Sequence, residues 1–265
     1  MGWIMRPCLS LLLLLAALIQ PGTAQVCSFW SGSCLDALAQ TAVTFGFPPL
    51  FEGSLTLYYG FDATSHGKGQ EPMTKVSYWL GYGAVINNSV IDANRTSEIA
   101  MRIGNLTGTP SGHNNGCDGV WGAQCSADLK AMLKQALYGV TTSGAYYNYP
   151  LDTVLSEMLI NKPYLSNCPP PLFDVAAIPS TAFAQETDTD LTATIQTAGT
   201  SDDPWKTWFI DNVTANEQAE QVAVAFLSRA PSYNGLPPDT EDDIQVELIC
   251  TQAPSSGGSS SSQGS

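Results

Sequence analysis

An apolar N-terminal segment is followed by six cysteines, and this combination predicts a fold that is stabilised by disulfides. Residues 1–24 have the form of a secretory signal, with Arg6 as the positive start, Leu9 to Ile19 as the apolar run and Gly22-Thr23-Ala24 as a small-residue cleavage site. The run is shorter than the roughly 18 apolar residues that a membrane span needs. Cleavage there would also remove Cys8. We therefore expect a secreted chain that folds in an oxidising compartment.

The cysteines that follow the signal allow three disulfides, in any of 15 connectivities. They are Cys27, Cys34, Cys117, Cys125, Cys168 and Cys250. Their spacing favours two local loops, Cys27 to Cys34 and Cys117 to Cys125, and leaves Cys168 to join Cys250. Because the number is even, a free thiol nucleophile is disfavoured.

The charge of the chain narrows the choice of partners. Acidic residues outnumber basic ones by 24 to 10, which gives a formal net charge of −14. Proteins that bind nucleic acid need clustered Lys and Arg to displace counterions from phosphate, so no nucleic-acid partner is expected. Anionic membrane surfaces are disfavoured for the same reason. No later stretch is long and apolar enough to predict a membrane span.

Four N-x-[ST] sequons suggest that the exported chain is a glycoprotein. They are Asn87, Asn94, Asn105 and Asn212. A single sequon would mean little, but four behind a signal segment favour glycosylation. Residues 255–265 are almost entirely Ser and Gly and predict a flexible tail, without the hydrophobic end of a lipid-anchor signal. Residues 25–254 are interpreted as a single globular domain.

Apolar residues alternate along several segments, as they do in half-buried strands. The segments with this pattern are 55–61, 76–80, 99–103, 173–183, 191–197, 205–211 and 244–250. In the last of these, Ile244, Val246, Leu248 and Cys250 share one face, which predicts that Cys250 points inward.

Three other segments carry helical spacing. The first runs from Leu129 to Val140, with Ser126 as its predicted N-cap, and the second covers 151–159 and stops before Pro163. A capping box at 214–217, followed by apolar residues to Leu227, predicts a third helix. We predict an α+β fold with a mainly antiparallel sheet and about three helices. The alternative is a β-sandwich that carries a helical insertion.

No complete catalytic motif is present. The two histidines, His66 and His113, both lie in Gly-rich, loop-like stretches, and no G-x-S-x-G string accompanies them. Neither H-E-x-x-H nor a C-x-x-C pair occurs, so we predict no metal and no cofactor. The acids of the 186–190 segment alternate at period 2 but lack the rest of a calcium loop, and are interpreted as a solvated loop.

Glycoside hydrolysis by a carboxylate pair is the catalytic hypothesis that remains open. It requires two acids facing each other about 5–10 Å apart. Asp118 is the first candidate, because it lies near Trp121 and a short distance along the chain from His113. An Asx turn before Gly119 would explain Asp118 without catalysis.

Two tryptophans give the competing hypothesis of a binding protein. Trp30 and Trp121 each lie inside a short predicted disulfide loop. Indoles on rigid loops can stack against sugar rings at little entropic cost, whereas core packing is the commoner role of tryptophan.

Several stretches of the sequence resemble those of a known group of proteins. Asn105-Leu106-Thr107-Gly108-Thr109-Pro110, the stretch Asn114 to Gly122, Cys168-Pro169-Pro170-Pro171 and the Ser/Gly tail resemble a group of secreted fungal glycoproteins of unassigned function. The resemblance implies export to the extracellular space or the cell wall and brings no activity with it. Our first hypothesis is a non-enzymatic extracellular or cell-wall-associated protein that binds a glycan or cell-wall polymer or has a structural role. The alternative is a secreted hydrolase that acts on carbohydrate.

Overall fold

The computed structural model describes fourteen segments of the chain. They are residues 25–27, 34–36, 39–48, 53–62, 74–82, 95–102, 106–143, 149–169, 177–183, 185–186, 193–194, 206–210, 221–231 and 236–252. Several predictions lie outside them: the signal segment, Trp30, His66, all four sequons, the capping box at 214–217 and the Ser/Gly tail.

Twelve strands and three helices make up the regular structure of these segments. The strands are β1 (Gln25–Cys27), β2 (Cys34–Asp36), β3 (Ala39–Gly46), β4 (Ser54–Asp62), β5 (Thr74–Tyr82), β6 (Arg95–Arg102), β7 (Ala177–Phe183), β8 (Gln185–Glu186), β9 (Ala193–Thr194), β10 (Lys206–Ile210), β11 (Ala223–Pro231) and β12 (Gln245–Thr251). The helices are α1 (Asp118–Trp121), α2 (Ala123–Thr142) and α3 (Pro150–Ile160).

The first large sheet has the strand order β10-β5-β4-β3 and is antiparallel throughout. On β4 the predicted alternation is confirmed, since Leu55, Leu57 and Tyr59 are buried while the residues between them are partly exposed. On β5 both faces are covered. Trp79 is buried there and stacks on the ring of Tyr58, with centroids 5.2 Å apart.

The second large sheet has the order β12-β11-β6-β7 and is also antiparallel. β11 pairs on both sides and every one of its residues is buried. The predicted third helix is therefore wrong over Val222 to Leu227, where the chain enters and follows this central strand. A strand buried on both faces needs no polar alternation, and its short apolar run cannot be told from a helix by spacing alone.

The helices lie between β6 and β7 in the chain and cover one face of the second sheet. The core that they form with it contains Leu129, Leu133 and Leu137 of α2, Leu151, Val154, Leu155 and Met158 of α3, and Val224, Phe226, Val246 and Leu248 of the sheet. The α+β prediction is confirmed, with the helices grouped against an antiparallel sheet.

The other face of the second sheet is buried as well. Its residues Ile99, Met101 and Leu227 have no exposed surface. Phe47, directly after β3, contacts Phe183 of β7 with ring centroids 6.0 Å apart. Gln245 Nε2 of β12 donates to the carbonyl oxygen of Pro48 at 2.7 Å. The end of β3 therefore lies against the second sheet.

The long helix begins earlier than the sequence predicts. α2 starts at Ala123 with Gly122 at its N-cap, so Ser126 lies inside the first turn and the prediction of Ser126 as N-cap is wrong. Ser126 is fully buried, and its hydroxyl bonds side chains of the preceding loop instead. The second helix is confirmed, with a proline in the first turn of α3 where its missing N–H costs nothing. Within the described segments, no helix is long and apolar enough to cross a membrane.

The described part of the chain contains two disulfides, and both differ from the predicted pairing. Cys117 bonds Cys250, and Cys125 bonds Cys168, with Cα atoms 4.8 and 4.9 Å apart. The predicted Cys117–Cys125 and Cys168–Cys250 bonds are wrong, because α1 and the start of α2 fill the interval between Cys117 and Cys125 with helical backbone instead of a closed loop.

The third predicted pair lies on the small β1–β2 sheet. Cys27 is the direct cross-strand partner of Cys34 in its antiparallel register. The structure describes only the backbone of these two residues, so this disulfide stays a prediction.

Candidate functional site

The loop platform, which we define as residues 106–122, joins the β6 region to α2 and carries the candidates Asp118, His113 and Trp121. Its backbone is folded on itself: Ser111 N donates to Gly116 O, and Gly119 N donates to Ser111 O, each at 2.9 Å. Asn114 and Asn115 both have positive φ angles, near 50°. Asparagine tolerates this left-handed conformation better than other side chains that have a Cβ.

The platform is fastened to the edge strand β12. Asn115 accepts a hydrogen bond from Cys250 N at 3.1 Å and donates from Nδ2 to Leu248 O at 2.8 Å. The Cys117–Cys250 disulfide adds a covalent link at the same place. Bonds of this kind occupy an edge that could otherwise pair with another chain.

Gly119 is required by close packing inside the platform. A Cβ at this position would lie 2.6 Å from the carbonyl oxygen of Thr109 and closer still to the hydroxyl of Ser111. The backbone of α1 and the loop segment Thr109–Ser111 can approach each other only because residue 119 has no side chain.

Asp118 is held by side chains on both sides. Its Oδ1 accepts from Ser126 Oγ at 2.7 Å and from Asn114 Nδ2 at 2.8 Å. Ser126 Oγ in turn accepts from Trp121 Nε1 at 2.9 Å. The hydrogen bond from Ser126 is the largest cause that lowers the pKa of Asp118, and the bond from Asn114 and the nearby charges of His113 and Lys130 act in the same direction against partial desolvation.

A lowered pKa keeps Asp118 ionised at neutral pH, so it is a poor general acid. The Asx turn that would explain it without catalysis is replaced by bonds to Asn114 and Ser126, which give Asp118 a structural role through other partners. The next acid on this network is Glu247. It is reached through Asn114 and Lys130, and its Oε2 is paired with Lys130 Nζ at 2.9 Å. These contacts do not bring a second carboxylate against Asp118.

His113 and Trp121 lie on the same platform with different exposure. His113 is exposed, and its carbonyl oxygen accepts from Asp118 N at 3.3 Å. Trp121 is partly buried and packs against the core beneath α2, with its indole N–H bonded to Ser126. Part of the indole therefore faces solvent, and the rest anchors the platform.

A second group of acids, which sequence reasoning missed, lies at the start of α3. Glu98 of β6 has no exposed surface. Its Oε2 accepts from Leu151 N at 2.9 Å, its Oε1 accepts from Ser180 Oγ at 2.7 Å, and Asp152 Oδ1 accepts from Ser180 N at 2.9 Å. We call these residues the Glu98 clasp: Glu98, Leu151, Asp152 and Ser180. The available signal was an acid inside a strand-like segment, which the apolar parity of Ile99 and Met101 obscured.

Burial raises the pKa of Glu98 to about 7, although hydrogen bonds from Leu151, Ser180 and Asp152 lower it; the charge of Asp152 raises it further. Two acids with different environments can divide acid and base roles in an enzyme. Here a substrate cannot reach Glu98, because the side chain has no solvent exposure. The clasp is therefore a structural arrangement and not a second candidate active site.

The described residues contain no group of three or more His, Cys, Asp and Glu side chains that could hold a metal ion. In comparisons with known proteins, no family model matches the chain, and neither a curated protein nor a solved structure does. The resemblance to secreted fungal glycoproteins stays a prediction.

Proposed function

We propose that this protein is secreted and acts outside the cell, in the extracellular space or the cell wall, as a non-enzymatic protein that binds a glycan through the loop platform. The observation that carries the proposal is the rigid mounting of this loop. The Cys117–Cys250 disulfide and the bonds of Asn115 join it to β12, and Asp118 and Ser126 join it to α2.

Rigid mounting matters for binding because a loop already held in its bound shape loses little conformational entropy when a ligand docks. The outward side of the platform is polar, with Thr107, Thr109, Ser111 and His113 exposed. The same platform carries the partly exposed indole of Trp121, which offers an apolar face. Hydroxyl groups next to one aromatic face suit a sugar, which combines hydroxyls with an apolar ring surface.

The compartment is supported by the disulfides. Cys117–Cys250 and Cys125–Cys168 form and persist in oxidising surroundings such as the secretory route. The signal segment and the four sequons of the sequence agree with this compartment. The hydrolase alternative has no comparable support, since a carboxylate pair needs a second acid and the hydrogen bonds of Asp118 bring none against it.

The test uses the full secreted chain on a glycan array and in a cell-wall pull-down. We expect binding that falls at least tenfold in Trp121→Ala and in His113→Ala, each shown by circular dichroism to remain folded under the conditions of the assay. Tyr164→Ala is the matched control, because Tyr164 is 90% exposed and lies outside the platform. Absence of binding to every glycan and wall preparation, or binding that both platform variants retain, would refute the proposal. Turnover of a polysaccharide that Asp118→Asn abolishes would favour the hydrolase.

A further inference from the structure

The Glu98 clasp joins three elements at one buried carboxyl group. β6 supplies Glu98, α3 supplies the backbone N–H groups of Leu151 and Asp152, and β7 supplies the hydroxyl of Ser180. Asp152 closes the arrangement by accepting from the backbone N–H of Ser180. The first turn of α3 is thereby tied to two neighbouring strands of the second sheet.

The surroundings of Glu98 stabilise a negative charge only in part. Ser228 of β11 is its direct cross-strand partner and is fully buried, yet among the described residues its Oγ has no hydrogen-bond partner. Side chains directly opposite each other in an antiparallel pair share one face of the sheet. The sheet therefore places a hydroxyl beside Glu98 that does not donate to it.

Among the described residues, no element packed around the clasp places a cation close to Glu98. On α3 the nearby charge is Asp152, another acid. β7 contains no titratable residue, and on β11 the alternation of the strand places Arg229 on the opposite face. Arg102 shares the face of Glu98, but its Cα lies about 13 Å farther along β6 at a rise of ~3.3 Å per residue. β8 contacts β6, and its one titratable residue, Glu186, is again an acid.

We propose that the Glu98 clasp is a pH-sensitive conformational device, which holds the start of α3 against β6 and β7 while Glu98 is protonated and loosens when Glu98 ionises. The protonated carboxyl group can keep the 2.7 Å contact with Ser180 Oγ by donating to it, with the donor and acceptor roles exchanged. When Glu98 ionises, its charge is buried and has no contact with solvent. Opening of the first turn of α3 exposes that charge to water.

The size of the effect follows from linkage. A carboxyl group with a pKa of about 7 in the closed state and 4.5 in the open state shifts the opening equilibrium toward the open state as pH rises between these values. From pH 5.5 to pH 8.5 the open population rises by about 30-fold if opening hydrates the group fully. Partial hydration gives less, and about tenfold is the smallest change that the proposal accepts.

The test is hydrogen exchange of the full chain, measured at pH 5.5 and pH 8.5 and corrected for the intrinsic pH dependence of exchange. We expect the protection of Leu151 and Asp152 amides to fall 10- to 30-fold at the higher pH, while β11 stays protected. Glu98→Gln, which mimics the protonated form, removes the change. Glu157→Gln, an exposed acid on the same helix, retains it.

A titration of the unmodified protein keeps the test independent of how the variant folds. The carbon signal of the Glu98 carboxyl group and the amide signal of Leu151 should titrate together near neutral pH. Titration near pH 4.5, or protection of α3 that is the same at both pH values, overturns the proposal. Equal loss of protection in Glu98→Gln and in the parent chain overturns it as well.

Discussion

Replacing Ser126 with alanine tests whether the loop platform is held to α2 by the bonds of one hydroxyl group. The variant removes the donor to Asp118 Oδ1 and leaves Trp121 Nε1, which lies in partly buried surroundings, without its acceptor. A hydrogen bond to a charged group is worth roughly 1.5–3 kcal/mol, and an unsatisfied buried donor costs roughly 1–3 kcal/mol. Because Asp118 is partly exposed and solvent replaces some of its lost bond, we expect a total loss of about 2–3 kcal/mol.

The assay is unfolding by guanidinium chloride at pH 7, followed by tryptophan fluorescence, with Ser143→Ala as the control. Ser143 is exposed at the other end of α2, and its Oγ donates to the carbonyl oxygen of Val140 at 2.8 Å. We expect it to change the free energy of unfolding by less than about 0.5 kcal/mol. In a double-mutant cycle, Ser126→Ala and Asp118→Ala should couple by about 1 kcal/mol, because each variant removes one partner of the same hydrogen bond.

The pKa of Asp118 determines how the stability lost in Ser126→Ala depends on pH. The pKa of Asp118 is lowered below its ordinary value of 3.8, so its contribution to stability is present above pH 3.8 and is lost as pH falls through the folded pKa. The difference between Ser126→Ala and the parent chain should therefore shrink in acid. In Ser126→Ala the carboxyl signal of Asp118 should titrate closer to 3.8. An unchanged titration, or a loss of stability below about 0.5 kcal/mol at pH 7, would refute the reasoning.

Three further predictions concern the platform and the core beneath it. Removing both Cys117 and Cys250 frees a loop with a sequence separation of 133, which the chain-entropy relation converts to a loss of about 5 kcal/mol in thermal or denaturant unfolding under oxidising conditions. Gly119→Ala should destabilise the chain by at least about 1 kcal/mol in the same assay, since its Cβ meets backbone atoms that only a main-chain shift can move. Leu133→Ala should cost about 2–5 kcal/mol, because Leu133 is fully buried between α2 and the second sheet; a loss below 1 kcal/mol would contradict this packing.

The sequence predicts best those elements that have one face in the core and one toward solvent. β4 is such a strand: Leu55 and Leu57 are buried while Thr56 is partly exposed, so the hydrophobic pattern has period 2. β11 has no such contrast, since neighbouring strands and layers bury all its residues. The same run of Ala, Val, Phe and Leu satisfies a helical spacing, and position in the sheet decides between them.

The disulfides show a second limit of the sequence. Short separation favours the pairing of Cys117 with Cys125, but the residues between them form helical backbone and hold the two cysteines apart. Cys250 is distant in the chain and adjacent in space, because the platform lies along β12. Pairing over 133 residues depends on the sheet order, which residue spacing does not contain.

Asp118 and Glu98 respond to their surroundings in opposite ways, and burial decides the direction in which each pKa moves. Asp118 is partly exposed, so donors outweigh desolvation and lower its pKa; Glu98 accepts bonds from three groups but has no exposed surface, so desolvation outweighs them. Asp118 contributes stability above pH 3.8, whereas the contribution of Glu98 is fully present below pH 4.5 and is lost as pH rises through about 7. Together they favour the folded state most between about pH 4 and pH 5. The sequence shows that positions 98 and 118 are acids. How deeply the fold buries each of them determines whether it is charged at neutral pH.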